Sequence, residues 1–493
     1  MRVAVIGAGL GGLSAAAHLT ADGHDVVVYE RAPGPGGVAS CEHVEGFRLD
    51  LGPTVLTLPE VIGETFGVLG TDLDDAISLT RLDPIYRAVF ADGTQFHVRA
   101  GAEAMREEVR RFAGTEAADE YSGFADWIGE LYQLQMPEFV DAQWDGLGDV
   151  FARRRAMLRL FRLGGFRRFD AAVAARLSDE RLRRVFGFQS MYVGVAPQRA
   201  LAMYAMITYL DTVAGVWAVE GGARAIAESL ARVLAGRGVR FHYDTPVAKV
   251  FRSSGGEIGG VELDGGERVR ADAVVVNADI ATAYRSLLDV RMPLRLRRRR
   301  YSPSCIVWSA GVRGETGAEV AGHNVHFGEA WEESFRALEA GNRMSDPSTL
   351  VSVPSHADPT AAPAGSTSLF VLEPVPNLGG RVDWATTRDR VAEELRLRAA
   401  GWGYPAEVVV ERTVDPLDWR AMGLVRGTPF SLAHVLGQTG PFRPGNTDGR
   451  VPGLAFTGAG TVPGVGVPMV MLSGRLAAAR IADYATETRT VRW

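Results

Sequence analysis

Three glycines and an acid near the start of the chain have the spacing of a dinucleotide-binding turn. Gly7, Gly9 and Gly12 follow the apolar run "VAVI", and Glu30 follows the next one, "DVVVY". The first glycine permits a tight turn, the second lets the backbone approach a pyrophosphate, and the third lets a helix pack on the strand. The helix N-terminus offers free N–H groups to phosphates, and the acid accepts hydrogen bonds from a ribose. The pattern predicts an adenine dinucleotide.

A second glycine pair, Gly36 and Gly37, lies shortly after Glu30 in "ERAPGPGGV". The sequence holds no second G-x-G-x-x-G motif. Enzymes that use two dinucleotides often carry two such fingerprints. The sequence therefore predicts one dinucleotide.

The stretch "TGAGTVPGVGVPMVML" near the C-terminus belongs to an uncharged run from Val451 to Gly474. A membrane-spanning helix needs about 20 mostly apolar residues. Pro452, Pro463 and Pro468 would break such a helix repeatedly. We predict instead a strand that ends in a glycine turn, followed by a loop that opens the last helix. The free N–H groups at that helix start could face a bound cofactor.

The elements that position these residues alternate between strand and helix. "DVVVY" has the apolar centre of a buried parallel strand, so the first thirty or so residues form a βαβ unit. Apolar spacing of three and four predicts a helix over Gly221–Gly238, and "VRFHYDTPVAKVFR", "ADAVVVNAD" and "GLAFTGAG" are strand-like. We predict an α/β fold in which a Rossmann-like dinucleotide-binding domain (residues 1–80, 215–285 and 436–493) is interrupted by a substrate domain (81–214 and 286–435).

The composition narrows the function class. The chain has 493 residues, enough for two domains, and its net charge of −6 argues against nucleic-acid binding. Its two cysteines, Cys41 and Cys305, lack the spacing of a metal site or disulfide scaffold, so no metal is expected. Scarce cysteine fits a reducing, cytoplasmic compartment.

One inserted stretch, residues 151–185, is rich in arginine at its start. Seven arginines occur between Arg153 and Arg168, interleaved with phenylalanine and leucine. A basic amphipathic helix of this kind can lie in an anionic membrane surface. A solvated helix packed on the domain core is the alternative, and Gly164-Gly165 argues against one continuous helix. The cluster Arg295–Tyr301 is open to the same two interpretations.

Motifs along nearly the whole chain resemble those of bacterial phytoene desaturases, a branch of the flavin family that includes amine oxidases. They are "GFRLDLGPTVLTLPEVI", "GVWAVEGGARAIAESLA", "VVVNAD", "FSLAHVLGQTGPFRPGN" and "GAGTVPGVGVPMV", in that order. The last is similar to the actinobacterial type. The resemblance implies FAD as the cofactor and a long, lipophilic polyene such as phytoene as the substrate. It also implies an amine-oxidase/phytoene-desaturase type of fold with a mixed α+β substrate domain. Because such a substrate is lipid-soluble, we expect peripheral association with the membrane through the helical stretch 151–185.

The fingerprint and the resemblance together predict a set of cofactor-binding residues from six parts of the chain. They are Gly7, Gly9, Leu10, Gly11, Gly12, Glu30, Arg31, Gly36, Gly37, Val38, Gly52, Pro53, Thr54, Val247, Asn277, Gly458, Ala459, Gly460, Gly466, Val467, Pro468 and Met469.

The chain departs from the family pattern in three motifs. Val38 replaces an arginine after Gly36-Gly37, so a phosphate contact must come from elsewhere, and Arg31 is one candidate. Val219 and Glu220 replace a proline and a basic residue, and Val462 replaces a histidine. Desaturation requires a proton acceptor, and Glu220 is the acid we would test first, with a structural carboxylate as the alternative. Asp50 is expected to fix its loop by hydrogen bonding.

The same motifs are also compatible with other functions. One is a flavin-dependent oxidase, saturase or isomerase that acts on another isoprenoid or an amine. Another is a non-enzymatic relative of the escort proteins for prenylated GTPases, which share the fingerprint but bind lipid tails. Gly36-Gly37 and the full C-terminal motif count against the escort interpretation.

Overall fold

A computed structural model describes residues 1–144 and 146–491 of the chain. The strands, in chain order, are β1 (Arg2–Ile6), β2 (Asp25–Tyr29), β3 (Cys41–Val44), β4 (Phe47–Asp50), β5 (Leu79–Arg81), β6 (Tyr86–Val89), β7 (Gln95–Val98), β8 (Trp217–Val219), β9 (Arg240–His242), β10 (Val247–Arg252), β11 (Ile258–Leu263), β12 (Arg268–Arg270), β13 (Ala273–Val276), β14 (Ser304–Arg313), β15 (His323–His326), β16 (Thr349–Ser352), β17 (Ser366–Val375), β18 (Glu407–Val414) and β19 (Leu454–Phe456).

The α-helices, in chain order, are α1 (Leu10–Ala21), α2 (Pro59–Gly67), α3 (Leu73–Ala76), α4 (Ala102–Ala113), α5 (Thr115–Gln135), α6 (Leu147–Ala152), α7 (Arg154–Arg162), α8 (Phe169–Ala174), α9 (Glu180–Gly187), α10 (Ala205–Tyr209), α11 (Ala223–Gly236), α12 (Ile280–Thr282), α13 (Leu294–Arg297), α14 (Trp331–Glu339), α15 (Pro354–Ala357), α16 (Trp384–Gly401), α17 (Pro416–Ala421) and α18 (Val467–Val491).

A five-stranded parallel sheet has the order β19-β13-β1-β2-β9. Its central strands are apolar because both faces are covered. Helices α1, α11 and α18 pack on one face, and the antiparallel strands β10 and β11 pack on the other. The βαβ unit formed by β1, α1 and β2, the helix α11, the strands β9, β10, β13 and β19, and the start of α18 all confirm the elements predicted from the sequence. The carboxyl ends of β1, β13 and β19 therefore meet at one edge of the sheet.

A seven-stranded mixed sheet has the order β18-β14-β17-β16-β15-β6-β7. Strands β6 and β15 pair in parallel, with Asn324 opposite Arg87, and the Arg87 Nε donates to the Asn324 Oδ1 at 3.0 Å. This pairing joins two inserted segments far apart in the chain. Every strand of this sheet comes from the predicted substrate segments, and every strand of the parallel sheet comes from the predicted dinucleotide-binding segments. The domain boundaries themselves stay predictions.

Helices complete a second apolar core beside the seven-stranded sheet. The aromatic residues Tyr86, Phe96, Tyr121, Phe124 and Phe186 are fully buried there. The stretch 151–185 contributes α7, α8, the end of α6 and most of α9 to the surface of this core. Helix α7 ends at Arg162, before Gly164-Gly165, which confirms that the stretch is not one continuous helix.

Candidate functional site

The first turn of the chain forms a cradle in which glycine is required at each fingerprint position. Gly7 has φ +99°, and a Cβ there would lie 2.5 Å from the Asn277 carbonyl oxygen. A Cβ at Gly9 would lie 2.7 Å from the Asn277 Oδ1, and one at Gly12 would lie 2.1 Å from the Gly7 oxygen. Close packing against Asn277 and Gly7 therefore requires glycine at these positions. Gly7 and Gly9 also border an open space at the N-terminus of α1, where a phosphate group would bind.

The second glycine pair extends the same cradle. Gly36 forms a β-bridge with Gly9, and a Cβ at Gly37 would lie 3.3 Å from the Gly9 Cα. The Arg224 side chain lies against this segment, because its Nη2 is 3.4 Å from a Cβ placed at Gly34. Its Nη1 also donates to the Cys41 carbonyl oxygen at 3.2 Å. Arg224 thus places a guanidinium beside Gly34, and its Nε forms an ion pair with the Glu228 Oε1 at 2.7 Å.

Glu30 is held in place by the backbone on both sides of the cradle. Its Oε2 accepts a hydrogen bond from the Ala8 N–H at 2.7 Å, and its Oε1 accepts one from the Ala32 N–H at 2.9 Å. Each carboxylate oxygen retains a further lone pair for a ligand hydroxyl group. The acid at the end of β2 is therefore preorganised to accept from a ribose.

The loop that follows β19 forms another wall of the site. Gly458 and Gly466 both have φ +117°, in the left-handed region that favours glycine. The Arg443 side chain stabilises the loop through two hydrogen bonds. Its Nε donates to the Thr461 carbonyl oxygen at 2.9 Å, and its Nη2 donates to the Ala459 carbonyl oxygen. Burial lowers the pKa of Arg443 to about 10, so the side chain is still a cation at neutral pH. The loop leads directly into the N-terminus of α18.

These walls enclose one cavity of about 1460 Å³. Its volume exceeds the roughly 300–1,000 Å³ of most small-molecule pockets, so it has room for more than one ligand. The cradle forms one part of its wall, and the other part is largely apolar. The apolar part includes Phe188, Met191, Val193, Ile207, Leu350, Phe370 and Leu372.

The predicted cofactor residues come together at this cavity, although they are spread from residue 7 to residue 469. All of them except Gly12 line it. Gly12 instead lets α1 pack against the turn at Gly7, as the fingerprint predicts. These contacts, the bare glycine backbone and the preorganised Glu30 fit an adenine dinucleotide.

Glu220 lies apart from this cavity. It lines a separate, shallow depression with Ser78 and Glu228, and its side chain is exposed. The Glu220 N–H donates to the Ser78 carbonyl oxygen at 3.1 Å. Asp50, by contrast, forms an ion pair with Arg48, 3.3 Å apart. These contacts hold the loop around β4, as expected for Asp50.

Several cavity residues were not among the sequence predictions. They are Asp211, Tyr192, Tyr204, Arg224, Asp279, His323 and His434. One sequence signal could have found Asp211, since it is the single charged residue between Leu201 and Val219. The histidines are neutral: burial lowers the pKa of His323 to about 4 and that of His434 well below its usual value. Among the described residues, no group of three His, Cys, Asp or Glu side chains could hold a metal ion.

Comparison with known proteins adds to this geometry. The sequence profile of the family described as "Flavin containing amine oxidoreductase" matches residues 10–482. A protein of Streptomyces griseus named phytoene dehydrogenase is 42% identical over 97% of this chain and 95% of its own length. A Myxococcus xanthus protein named zeta-carotene-forming phytoene desaturase is 38% identical over 98% of this chain and 94% of its own length.

Solved structures share the fold at low sequence identity. An oxidoreductase from Methanosarcina mazei superposes with a TM-score of 0.63 at 19% identity, covering 96% of this chain and 99% of its own. Wild-type putrescine oxidase gives a TM-score of 0.62 at 17% identity, covering 99% of both chains. At this identity the likeness concerns the fold alone.

Proposed function

This chain belongs to the flavin-containing amine oxidoreductase family and to its phytoene desaturase branch, and we propose that it desaturates a phytoene-type polyene with FAD. The observation that carries the proposal is the large cavity, in which a dinucleotide cradle opens into an apolar chamber. Relatives named as desaturases of phytoene and zeta-carotene cover nearly the whole chain. A polyene hydrocarbon is a substrate that such a chamber suits, because it offers no polar group to satisfy.

The residues that would hold FAD are those of the cradle. The backbone from Gly7 to the start of α1 faces the pyrophosphate, Glu30 accepts from the ribose, and Arg224 lies beside Gly34. Arg31 lines the same cavity, but its Nη2 donates to the Met422 carbonyl oxygen. We therefore propose Arg224, together with Arg31, in place of the arginine that the family carries at Val38.

The flavin, when bound, supplies an acceptor for a hydride. The chain's own residues orient the polyene and keep water away from the reacting bond. Phe188, Met191 and Phe370 provide apolar walls that exclude water, and a correctly held carbon pair avoids much of the ordering cost of reaction. The loop at Gly458–Gly466 and the start of α18 fix where the two ligands meet.

The test is an anaerobic reaction of the purified protein. We expect the isolated protein to show flavin absorption, and phytoene delivered in liposomes to bleach it while coloured polyenes form. A reaction without phytoene is the control for photoreduction. The proposal fails if no carotenoid precursor loses hydrogen, and peroxide release on adding simple amines would instead support an amine oxidase.

We further propose that the protein works at the cytoplasmic face of a membrane as a peripheral protein. Helix α7 buries Ala156 and Leu160 in the core but exposes Leu158 by 50% and Phe161 by 68%. Phe151 is 73% exposed on the preceding helix. We call the surface formed by Phe151, Arg154, Arg155, Leu158 and Phe161 the basic apolar face.

Both kinds of side chain on this face suit an anionic bilayer. Arginines attract the headgroups, and exposed phenylalanine and leucine gain free energy when they enter the interface. Phe442, 40% exposed, adjoins the face because its turn, Gly440–Phe442, packs against α6. Attachment to a bilayer would give the protein access to a lipophilic substrate dissolved in it. Sedimentation with anionic liposomes measures it.

In the described part of the chain, no helix is long and apolar enough to cross a membrane. Both cysteines, Cys41 and Cys305, are buried free thiols.

A further inference from the structure

Asp211 stands at the junction of the two cores beside the cavity. It belongs to a π-helical turn, Leu210–Ala214, that continues from α10. Leu210 packs into the core of the dinucleotide-binding part, whereas Val213 packs against the core of the substrate part. Asp211 itself is only 5% exposed and lines the cavity. Its carboxylate is therefore withdrawn from bulk water and yet borders the space for ligands.

The Asp211 carboxylate has no protein partner within the described ranges, since it takes part in no hydrogen bond or ion pair there. A buried carboxylate without partners is costly, and proteins usually neutralise or pair it. Burial, which is the sole cause of the shift, raises the pKa of Asp211 to about 8. An acid in this state in a cleft is a candidate for catalysis.

Other buried acids of this protein are paired. Glu373 receives hydrogen bonds from Arg343 and Arg398. Asp50 pairs with Arg48, and Asp415 caps α17 by accepting from the Leu417 N–H. The isolation of Asp211 is thus not a general property of acids in this core.

The groups around Asp211 are neutral at physiological pH. Tyr192, from the turn Phe188–Val193, and Tyr86, from β6, both have their pKa raised by burial and further by the charge of Asp211. On α5, which packs against α10, burial raises the pKa of Tyr121 and of Tyr132. No cation among these neighbours neutralises the carboxylate, so it is free to accept a proton from a ligand.

We propose that Asp211 is the proton acceptor in the desaturation, an inference that rests on the proposed function. In each step two adjacent carbons lose one hydrogen each. One leaves as a hydride, which the flavin accepts, and the other leaves as a proton, which bonds to an Asp211 carboxylate oxygen. The electron pair of the second C–H bond becomes the new π bond. No further reactant is needed to balance atoms and electrons.

The pH dependence follows from the requirement that Asp211 be ionised. With a pKa of about 8, only a minor fraction is ionised at neutral pH. Below that pKa the rate of flavin reduction should rise about tenfold per pH unit, and above it the rate should level off. Buried, neutral His323 has its pKa lowered to about 4, so it does not produce this rise.

The experiment compares wild type with Asp211→Asn, which keeps the shape but cannot accept the proton. We expect D211N to keep its flavin absorption and to bind phytoene, measured by quenching of tryptophan fluorescence. The anaerobic rate of flavin bleaching should fall by about 100-fold or more, and its pH dependence should vanish. Asp211→Glu should restore part of the rate together with a pH-dependent profile.

A second readout does not depend on turnover. Difference infrared spectroscopy of the flavin-loaded protein should show a protonated carboxyl band that is lost as the pH rises through about 8. The same band should be missing in D211N. Asp126→Asn, on the exposed side of α5, is the matched control and should leave the band and the rate unchanged.

The outcomes separate this inference from the proposed function. If wild type reduces its flavin with phytoene and D211N does so at the same rate, Asp211 is not the acceptor. If bleaching slows in Glu220→Gln but not in D211N, the role belongs to Glu220. If wild type itself never reduces its flavin with any polyene, the proposed function fails, whatever the infrared titration shows.

Discussion

The glycines around the cavity are required for two different physical reasons. Gly9 and Gly12 are needed because another chain segment approaches closely, whereas Gly466 is needed for its backbone angle. A Cβ at Gly466 would meet nothing nearer than the Met469 Cγ at 3.6 Å, but the φ of +117° is strained for any other residue. Substitution there would act through the conformation of the loop.

Gly466→Val should therefore lose flavin. Valine, a β-branched residue, strongly disfavours a positive φ. The loop before α18 must therefore change conformation, and the wall of the cavity moves with it. The flavin-to-protein absorbance ratio of the purified variant measures the loss. Gly23→Val is the matched control, because Gly23 also has a positive φ, +77°, and open space at its Cβ position but does not line the cavity. Full flavin content in G466V would contradict the prediction.

At the scale of elements, α1 and α18 pack unusually closely. A Cβ at Gly474 would lie 2.4 Å from the Gly11 oxygen and 2.8 Å from the Ala15 nitrogen. The Ser14 Oγ donates to the Met471 carbonyl oxygen at 2.7 Å across the same contact. This contact holds the fingerprint helix, so its energetics bear on both stability and flavin binding.

Gly474→Ala should lower the free energy of unfolding by about 1–3 kcal/mol, the usual cost of overpacking. Its flavin affinity should fall as well, because α1 must shift. Gly123→Ala offers the comparison, since Gly123 lies inside α5 with no atom near its Cβ position. That change should raise stability by about 0.5–1 kcal/mol through helix propensity. If the melting temperatures of both variants shift in the same direction relative to wild type, the predicted overpacking at Gly474 is wrong.

At the scale of the whole molecule, the ligand cavity and the proposed membrane-contacting face are different surfaces. The cavity lies between the parallel sheet and the mixed sheet, with residues of both parts in its wall. The basic apolar face lies on helices that cover the substrate core. Under the proposal of membrane attachment, the substrate would pass from the bilayer at this face into the cavity.

The double variant Leu158→Ser, Phe161→Ser should sediment less with anionic liposomes than wild type does. Both side chains are exposed, so the melting temperature should stay within about 2 °C, as for most surface changes. Leu397→Ser, at a 60% exposed leucine on α16, is the matched control and should bind as wild type does. Arg154→Gln with Arg155→Gln should weaken binding to anionic liposomes more than to neutral ones. Unchanged sedimentation of all variants would rule out this face as the attachment site.

The parts of the site that could be predicted are those made by neighbouring residues. The turn at Gly7–Gly12, the acid at the end of β2 and the start of α18 each depend on backbone conformation within a few residues. Short-range patterns in the sequence encode such conformations directly. The resemblance to known desaturases then predicted that these separate segments bind the same cofactor.

The remaining features of the site depend on contacts between residues that are distant in the sequence, and no local pattern encodes such contacts. The pairing of β6 with β15 joins segments more than two hundred residues apart, and it builds the sheet behind the chamber. Only the tertiary structure put Arg224 beside Gly34 and placed Glu220 in a separate depression. It also buried Asp211 at the cavity wall, where the carboxylate has no partner among the described residues. The sequence by itself determined the dinucleotide turn and the fold family, because local backbone geometry and motif order carry that information. Packing decided which carboxylate borders the chamber, because burial is set by elements distant in the chain.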